Sequence, residues 1–309
     1  MRARILIILA AVLAALTATA APAQAITNGE PDNGEHPYVG QLLFYVPDAI
    51  DPRFTDPGGW FTCSGTLLDA RTVVTAGHCT FAVGDDGAST TAGGGDGSGG
   101  TDVWFDASEA PDFSILPPSA GFAPGDNAGR YAAWSAALNA SAEWVRGTAY
   151  PHPEYDDNAF FLHDGGVLVL DEALRRAQYG QLPALGLLDT LVRDQTQRYT
   201  AVGYGLEESG PHTALGGDTR RKSNQKLVNL NGVFGAGKGV AAKFSNNLGS
   251  NQTGGTCFGD SGGPIFVAGT RTITSVTSFG ISETCTGSTG GYRLDQPDDL
   301  AFLATFGPF

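Results

Sequence analysis

The stretch Cys257-Phe258-Gly259-Asp260-Ser261-Gly262-Gly263-Pro264 decides how the rest of the 309-residue chain is read. A serine set among glycines sits on a tight turn with its hydroxyl exposed. Glycine has no Cβ to hold a substrate carbonyl away from the neighbouring backbone amides. Read alone, Gly259-Asp260-Ser261-Gly262-Gly263 also fits the G-x-S-x-G elbow of α/β-hydrolases, which carry their acid and histidine after the serine. All five histidines here (His36, His78, His152, His163 and His212) precede Ser261, which excludes that order. A serine hydroxyl is a weak nucleophile until a base takes its proton. Val73-Val74-Thr75-Ala76-Gly77-His78-Cys79 offers that base: a histidine after a β-rich run, anchored at once by a cysteine.

The start of the chain reads as an address. Arg2 and Arg4 precede an apolar stretch from Ile5 to Leu16, and the small-residue run Ala21-Pro22-Ala23-Gln24-Ala25 follows. A basic start, a short apolar core and an A-x-A site predict a secretory signal peptide over 1–25, cleaved to leave Ile26 as the amino terminus. The stretch is shorter than the ~20 residues of a spanning helix, so a secreted protein with no membrane association is expected. The chain holds 18 basic and 32 acidic residues, and losing the two arginines of 1–25 takes its net charge from −14 to −16. With no basic cluster, that charge excludes nucleic acid and anionic membrane as partners. An apolar fraction of 41% excludes wholesale disorder.

In an oxidising compartment, Cys63, Cys79, Cys257 and Cys285 are expected as two disulfides, with three connectivities open. No C-x-x-C and no His-Glu-x-x-His occurs, so neither metal nor cofactor is expected. The length predicts about two domains. Short β-rich runs recur at 38–46, 60–68, 72–75, 167–170, 200–202, 226–230, 264–267 and 272–279, punctuated by Gly, Asn, Asp and Pro. This pattern favours a sandwich or barrel of short antiparallel strands. No long amphipathic helix is visible, and one short helix is predicted over Asp298–Thr305. Gly84–Gly100 is glycine-rich and reads as a loop insertion; Asp171–Gln197 reads as a connector. Asn139-Ala140-Ser141 and Asn251-Gln252-Thr253 are glycosylation sequons.

With its histidine motif followed by the glycine-framed serine, the chain resembles the secreted trypsin/chymotrypsin-like serine proteases over nearly all of its length beyond residue 25. The resemblance implies an all-β fold of two packed antiparallel barrels: an N-terminal one over 26–180 carrying His78 and Asp164, and a C-terminal one over 181–309 carrying Ser261. It implies a serine endopeptidase acting on protein or peptide substrates, with a monomer as the expected state. His152-Pro153-Glu154-Tyr155, then Asp164-Gly165-Gly166-Val167-Leu168-Val169-Leu170, is similar to the family's histidine-proline loop leading into its aspartate strand. Asp164 is therefore the candidate that orients His78, with Asp156 and Asp157 in the polar loop as competitors. Cys63-Ser64-Gly65-Thr66-Leu67-Leu68 is similar to the family strand whose cysteine bonds the one beside the histidine. The implied pairs are Cys63–Cys79 and Cys257–Cys285.

By the same resemblance, the Gly259 and Ser261 amides form an oxyanion hole. The Ile26-Thr27-Asn28-Gly29 start implies an α-amino group that pairs with Asp260 once residues 1–25 are gone. The implied primary pocket is walled by Gly255 and Thr256, by Ser278-Phe279-Gly280 and by Gly290. Gly255 stands where tryptic enzymes carry an aspartate, which argues against a basic residue before the scissile bond, and Gly280 and Gly290, lacking side chains, leave room for an apolar or aromatic one. Glu283 is the competing attractor for a basic side chain. Ser278 is expected to reach Asp164 or to offer its backbone to substrate. Val202-Gly203-Tyr204-Gly205 is similar to the strand that opens the second barrel. The alternative is a catalytically silent homologue that binds partners through the old cleft.

Overall fold

The runs rich in Val, Leu, Ile and aromatic residues become strands because their side chains find cover on the barrel interior. The computed structural model describes residues 26–84, 100–210, 213–232, 237–247, 249 and 254–309. The predicted signal peptide, positions 85–99 of the insertion, His212 and the sequon at 251–253 lie outside these residues. After the two-residue strand β1 (Glu30–Pro31), six strands form the first barrel: β2 (Val39–Val46), β3 (Gly59–Leu67), β4 (Thr72–Ala76), β5 (Val103–Asp106), β6 (Val145–Pro151) and β7 (Gly165–Leu170). They close in the order β2-β3-β4-β7-β6-β5, all neighbours antiparallel.

The second barrel begins with β8 (Tyr199–Gly203). A hairpin of β9 (Leu206–Gly210) and β10 (Thr213–Gly216) leads into β11 (Arg221–Asn229). The remaining strands are β12 (Ala241–Ser245), β13 (Pro264–Val267), β14 (Ile273–Gly280) and β15 (Ser288–Arg293). The order β11-β12-β15-β14-β13-β8 closes through antiparallel pairing of β8 with β11, while β1 adds to the edge of β11. The expected two-barrel, all-β architecture is the one observed. Closing both sheets leaves few unpaired edges, a hazard that short strands alone would not remove.

Four barrel strands, β5, β6, β12 and β15, went unread in the sequence, as did β1 and the β9–β10 hairpin, and β11 starts five residues before the predicted run. The reason lies in their composition. β11 opens Arg-Lys-Ser-Asn-Gln, yet Arg221, Ser223 and Gln225 are buried while Lys222 and Asn224 are not. Its alternation is thus one of polar side chains, invisible to a hydrophobic period of two.

A second difference is a 14-residue helix, α1 (Asn127–Ala140), where no long helix was expected. Its alanine-rich sequence has high helix propensity but almost no apolar stripe, and only Asn127, Arg130 and Leu138 are buried. Asp126 caps it by accepting from the Gly129 amide. Arg130 is buried between the Asp51 carboxylate (3.0 Å) and the face of Phe54 (4.1 Å). Tyr131 and Trp134 stack with Tyr45 and Trp60 on the barrel wall. The connector holds one short helix, α2 (Leu187–Leu191), and the predicted terminal helix is α3 (Pro297–Ala304).

The barrels meet through buried polar contacts as well as apolar ones. Arg220 pairs with Asp32 at 2.9 Å and donates to the Val39 carbonyl of the first barrel. Tyr204 donates from its hydroxyl to the same carbonyl at 3.1 Å. The cleft between the two barrels is where chemistry-bearing loops of both converge.

Candidate active site

β4 ends at Ala76 and turns at once into a single 3₁₀ turn, Gly77–Cys79, which carries His78. The disulfide Cys63–Cys79 fastens that turn to β3. β7 pairs alongside, and Asp164 is the residue just before it. A Cβ on Gly166 would stand 2.5 Å from Thr80 Oγ1 and 2.6 Å from the Ala76 carbonyl, so only glycine lets β7 approach the histidine turn this closely. This accounts for Gly166, where the related motif has an apolar side chain; a Cβ on Gly165 would come no nearer than 3.4 Å, to Asp299.

Asp164 is fully buried. Its Oδ1 accepts from the His78 backbone amide at 2.9 Å, and both carboxylate oxygens lie 3.1 Å from His78 Nδ1. Ser278, on β14 of the other barrel, donates from Oγ to Asp164 Oδ2. Every strong contact of the carboxylate favours an imidazole with its proton on Nδ1, which leaves Nε2 basic. The His78 side chain is 26% exposed. Burial opposes its charged form, but the Asp164 charge and hydrogen bond outweigh that and hold its pKa above the usual histidine value. The competing carboxylates take no hydrogen bond from the His78 ring: Asp156 accepts from the Asn158 amide, and Asp157 accepts from the Tyr155 hydroxyl. Asp157 lines both cavities described below, and its charge adds to that of Asp164 in raising the His78 pKa.

Ser261 follows a tight turn. The Asp260 amide donates to the Cys257 carbonyl at 3.1 Å, and Gly259 between them has φ +96°, a conformation L side chains rarely adopt. Among the described residues, neither the Gly259 nor the Ser261 amide donates to another protein group. Cys257–Cys285 fastens the turn from one side, and the Ser261 carbonyl accepts from the Ser64 amide on the other. Ser261 and His78 share the wall of two cavities, one of about 380 Å³ and one of about 350 Å³ on the opposite side.

Asp260 is buried and accepts from the Gly205 and Cys257 amides at 2.8 Å each. No cation pairs with it among the described residues. Burial, only partly offset by those two amides, pushes its carboxyl up to about 7. Ile26 is also buried, and the chain after it bridges to the pocket segment, with the Gly255 amide donating to the Thr27 carbonyl at 3.1 Å.

The larger cavity is lined by Thr256, Ser278, Phe279 and Gly280 of the expected wall, and by Asn246, Tyr155, Phe160, Ser288 and Thr289, which sequence reading missed. Gly255 and Gly290 do not open space there. A Cβ on Gly255 would stand 2.2 Å from the Asn246 side chain, and one on Gly290 would stand 2.5 Å from the Phe279 ring. Both glycines make room for a neighbouring side chain of this chain. Asn246 is locked by donating from Nδ2 to the Thr256 and Cys285 carbonyls. Its Oδ1 and the Thr256 Oγ1 are buried without a partner among the described residues. Glu283 does not line the cavity.

The trypsin family model matches residues 134–294, just over half of the chain, and its span includes Asp164 and Ser261. A solved structure described as HL collagenase superposes with a TM-score of 0.60 at 17% identity, covering 92% of this chain and 100% of that one. At that identity the likeness is one of fold. No curated protein matches the chain significantly. Two closed six-strand barrels with a histidine, a buried aspartate and a glycine-framed serine at their seam agree with the family match: the chain belongs to the trypsin family of serine proteases.

Proposed function

We propose that the protein is an active, secreted serine endopeptidase in which Ser261 attacks the peptide carbonyl, His78 takes and returns the proton, and Asp164 holds the His78 tautomer. The observation that carries this reading is the Asp164 carboxylate, buried and fixed on the His78 backbone amide, on Nδ1 and by Ser278. A buried carboxylate is costly to keep, and this one has every oxygen committed to orienting an imidazole beside a serine. The Gly259 and Ser261 amides would receive the carbonyl oxygen as it becomes an oxyanion. Water then hydrolyses the acyl-enzyme. A fluorophosphonate is expected to label the protein covalently at Ser261, and Ser261→Ala to abolish labelling. An unlabelled protein that begins at Ile26 would instead support the silent binding homologue.

Secretion with removal of 1–25 is part of the proposal, as are barrels bounded near residue 180. Cleavage after Ala25 frees an amino group on Ile26, and its pairing with Asp260 would relieve the buried charge. The sign of the pH effect follows from the raised carboxyl. Between about pH 4 and 7 the folded uncleaved chain keeps a proton that the unfolded chain has released, so it loses stability as pH rises. Relative to a chain begun at Ile26, that loss amounts to at most about 4 kcal/mol. Urea denaturation of both forms, each carrying Ser261→Ala to prevent self-digestion, should show the gap widening across that interval. A constant gap removes the Ile26–Asp260 pair.

For the residue before the scissile bond, the cavity favours an uncharged aromatic side chain: Phe160, Phe279 and Ile281 supply apolar wall, and Asp157 among its lining residues already accepts from the Tyr155 hydroxyl. Peptides with Phe or Tyr are expected to be cut about 100-fold faster than those with Arg. Faster Arg cleavage refutes the apolar pocket.

A further inference from the structure

The residue before Asp164 takes part in a second cluster. His163 holds φ +52°, and its Nδ1 is buried without a hydrogen bond among the described residues. Two carboxylate oxygens nevertheless stand beside that nitrogen: Asp298 Oδ2 at 3.2 Å and Glu154 Oε2 at 3.6 Å. Nitrogen and oxygen ligands bound about 2.0–2.1 Å from a tetrahedral ion stand about 3.3 Å from each other. Neither oxygen meets the N–H axis of a direct hydrogen bond, and each spacing is near that of two ligands on one ion. Asp298 stands outside the group whose ligand atoms lie within 4.8 Å of one another, so its exposed side chain has to turn towards Glu154 to share the ion. His152 stacks on His163 with ring centroids 5.0 Å apart, and the ligand atoms of His152, Glu154 and His163 all lie within 4.8 Å of one another.

We infer that His163, Glu154 and Asp298 form a binding site for a divalent transition-metal ion of the zinc class. Imidazole with carboxylates is a borderline donor set that suits zinc rather than magnesium or calcium. Glu154 and Asp298 are 67% and 44% exposed, so their unfilled side faces solvent and gives the ion a way in. His152 completes a fourth position if it releases the Glu154 amide that its Nδ1 now accepts at 3.1 Å; otherwise water does. The ligands come from three places in the chain: the loop after β6, the residue before Asp164 and the start of α3. An ion there ties the terminal helix to the first barrel. The other histidine–cysteine group, Cys63, His78 and Cys79, offers no thiolate because both sulfurs are in the disulfide.

The test is calorimetric titration of zinc chloride into the full-length protein carrying Ser261→Ala, which needs no catalysis. One zinc per chain is expected. Glu154→Gln with Asp298→Asn should weaken binding by about 100-fold, and so should His163→Asn, whose side chain tolerates the left-handed backbone. His78→Ala should leave binding unchanged. No bound zinc, binding that survives the ligand substitutions, or binding lost with His78→Ala each overturns the site. Because His163 is peptide-bonded to Asp164, zinc is further expected to slow hydrolysis several-fold in the unsubstituted enzyme and not in Glu154→Gln/Asp298→Asn. That consequence rests on the catalytic reading above. Hydrolysis unmoved by bound zinc overturns the coupling and leaves the calorimetric result standing.

Discussion

Ser261→Ala, His78→Ala and the double variant are each expected to lose the same factor, about 10⁶ in kcat, with KM little changed. A hydroxyl without a base stays a weak nucleophile, and a base without that hydroxyl has no proton to take. Removing the second partner therefore costs nothing further. Substrate contacts in the two cavities are untouched, which is why KM should hold. The residual rate would come from the Gly259 and Ser261 amides, which in the proposed mechanism still stabilise an oxyanion formed by attacking water. The comparison also bears on geometry. Ser261 and His78 line the same cavities, and equal losses would mean that they work as one unit once substrate is bound. A double variant slower than either single one would mean they act separately, and the proposed proton transfer would fall.

Asp164→Asn is expected to lower kcat by about 10⁴-fold while leaving the fold intact, the loss that follows when the imidazole takes the wrong tautomer. An asparagine amide facing Nδ1 donates where the carboxylate accepted. The imidazole must then keep its proton on Nε2, towards Ser261, and cannot act as base. A pH profile separates this from a merely structural role. His78 must be neutral to accept a proton, so kcat/KM falls as pH drops through its pKa. Asp164 raises that pKa above the usual 6.5, so the fall in the unsubstituted enzyme lies above that pH. Without the carboxylate charge, the residual activity of Asp164→Asn should fall at lower pH. Ser278→Ala, which removes one donor to the carboxylate, should cost only about tenfold. An unmoved profile in Asp164→Asn would point back to Asp156 or Asp157.

The family and the fold were legible because acyl-transfer chemistry needs particular residue types in short local patterns. Ser261 needs its glycines, and His78 sits beside a cysteine at the end of a strand. Asp164 was readable too, since a carboxylate before an apolar strand has few places to go but inward. The cysteine pairs followed from the same resemblance, and both bonds are present. Local propensity fared less well. The polar strand β11 and the alanine-rich helix α1 carry no apolar period, because the first buries hydrogen-bonding side chains and the second rests on aromatic residues from the barrel wall.

What the sequence by itself determined is the chemistry on offer: a serine, a histidine and an aspartate in an order that excludes rival clans, cysteines for two bonds, and barrels of short strands. Tertiary structure alone decided what fills the space around them. Asn246 came to lie beneath Gly255, and the Phe279 ring over Gly290, so of the two glycines read as leaving room Gly290 is covered and Gly280 stays open. His163 meets Asp298, more than 130 positions away, for the same reason. Motifs act over a few residues through backbone geometry, whereas the shape of a pocket or an ion site is set by which distant surfaces pack together, and no local pattern encodes that meeting.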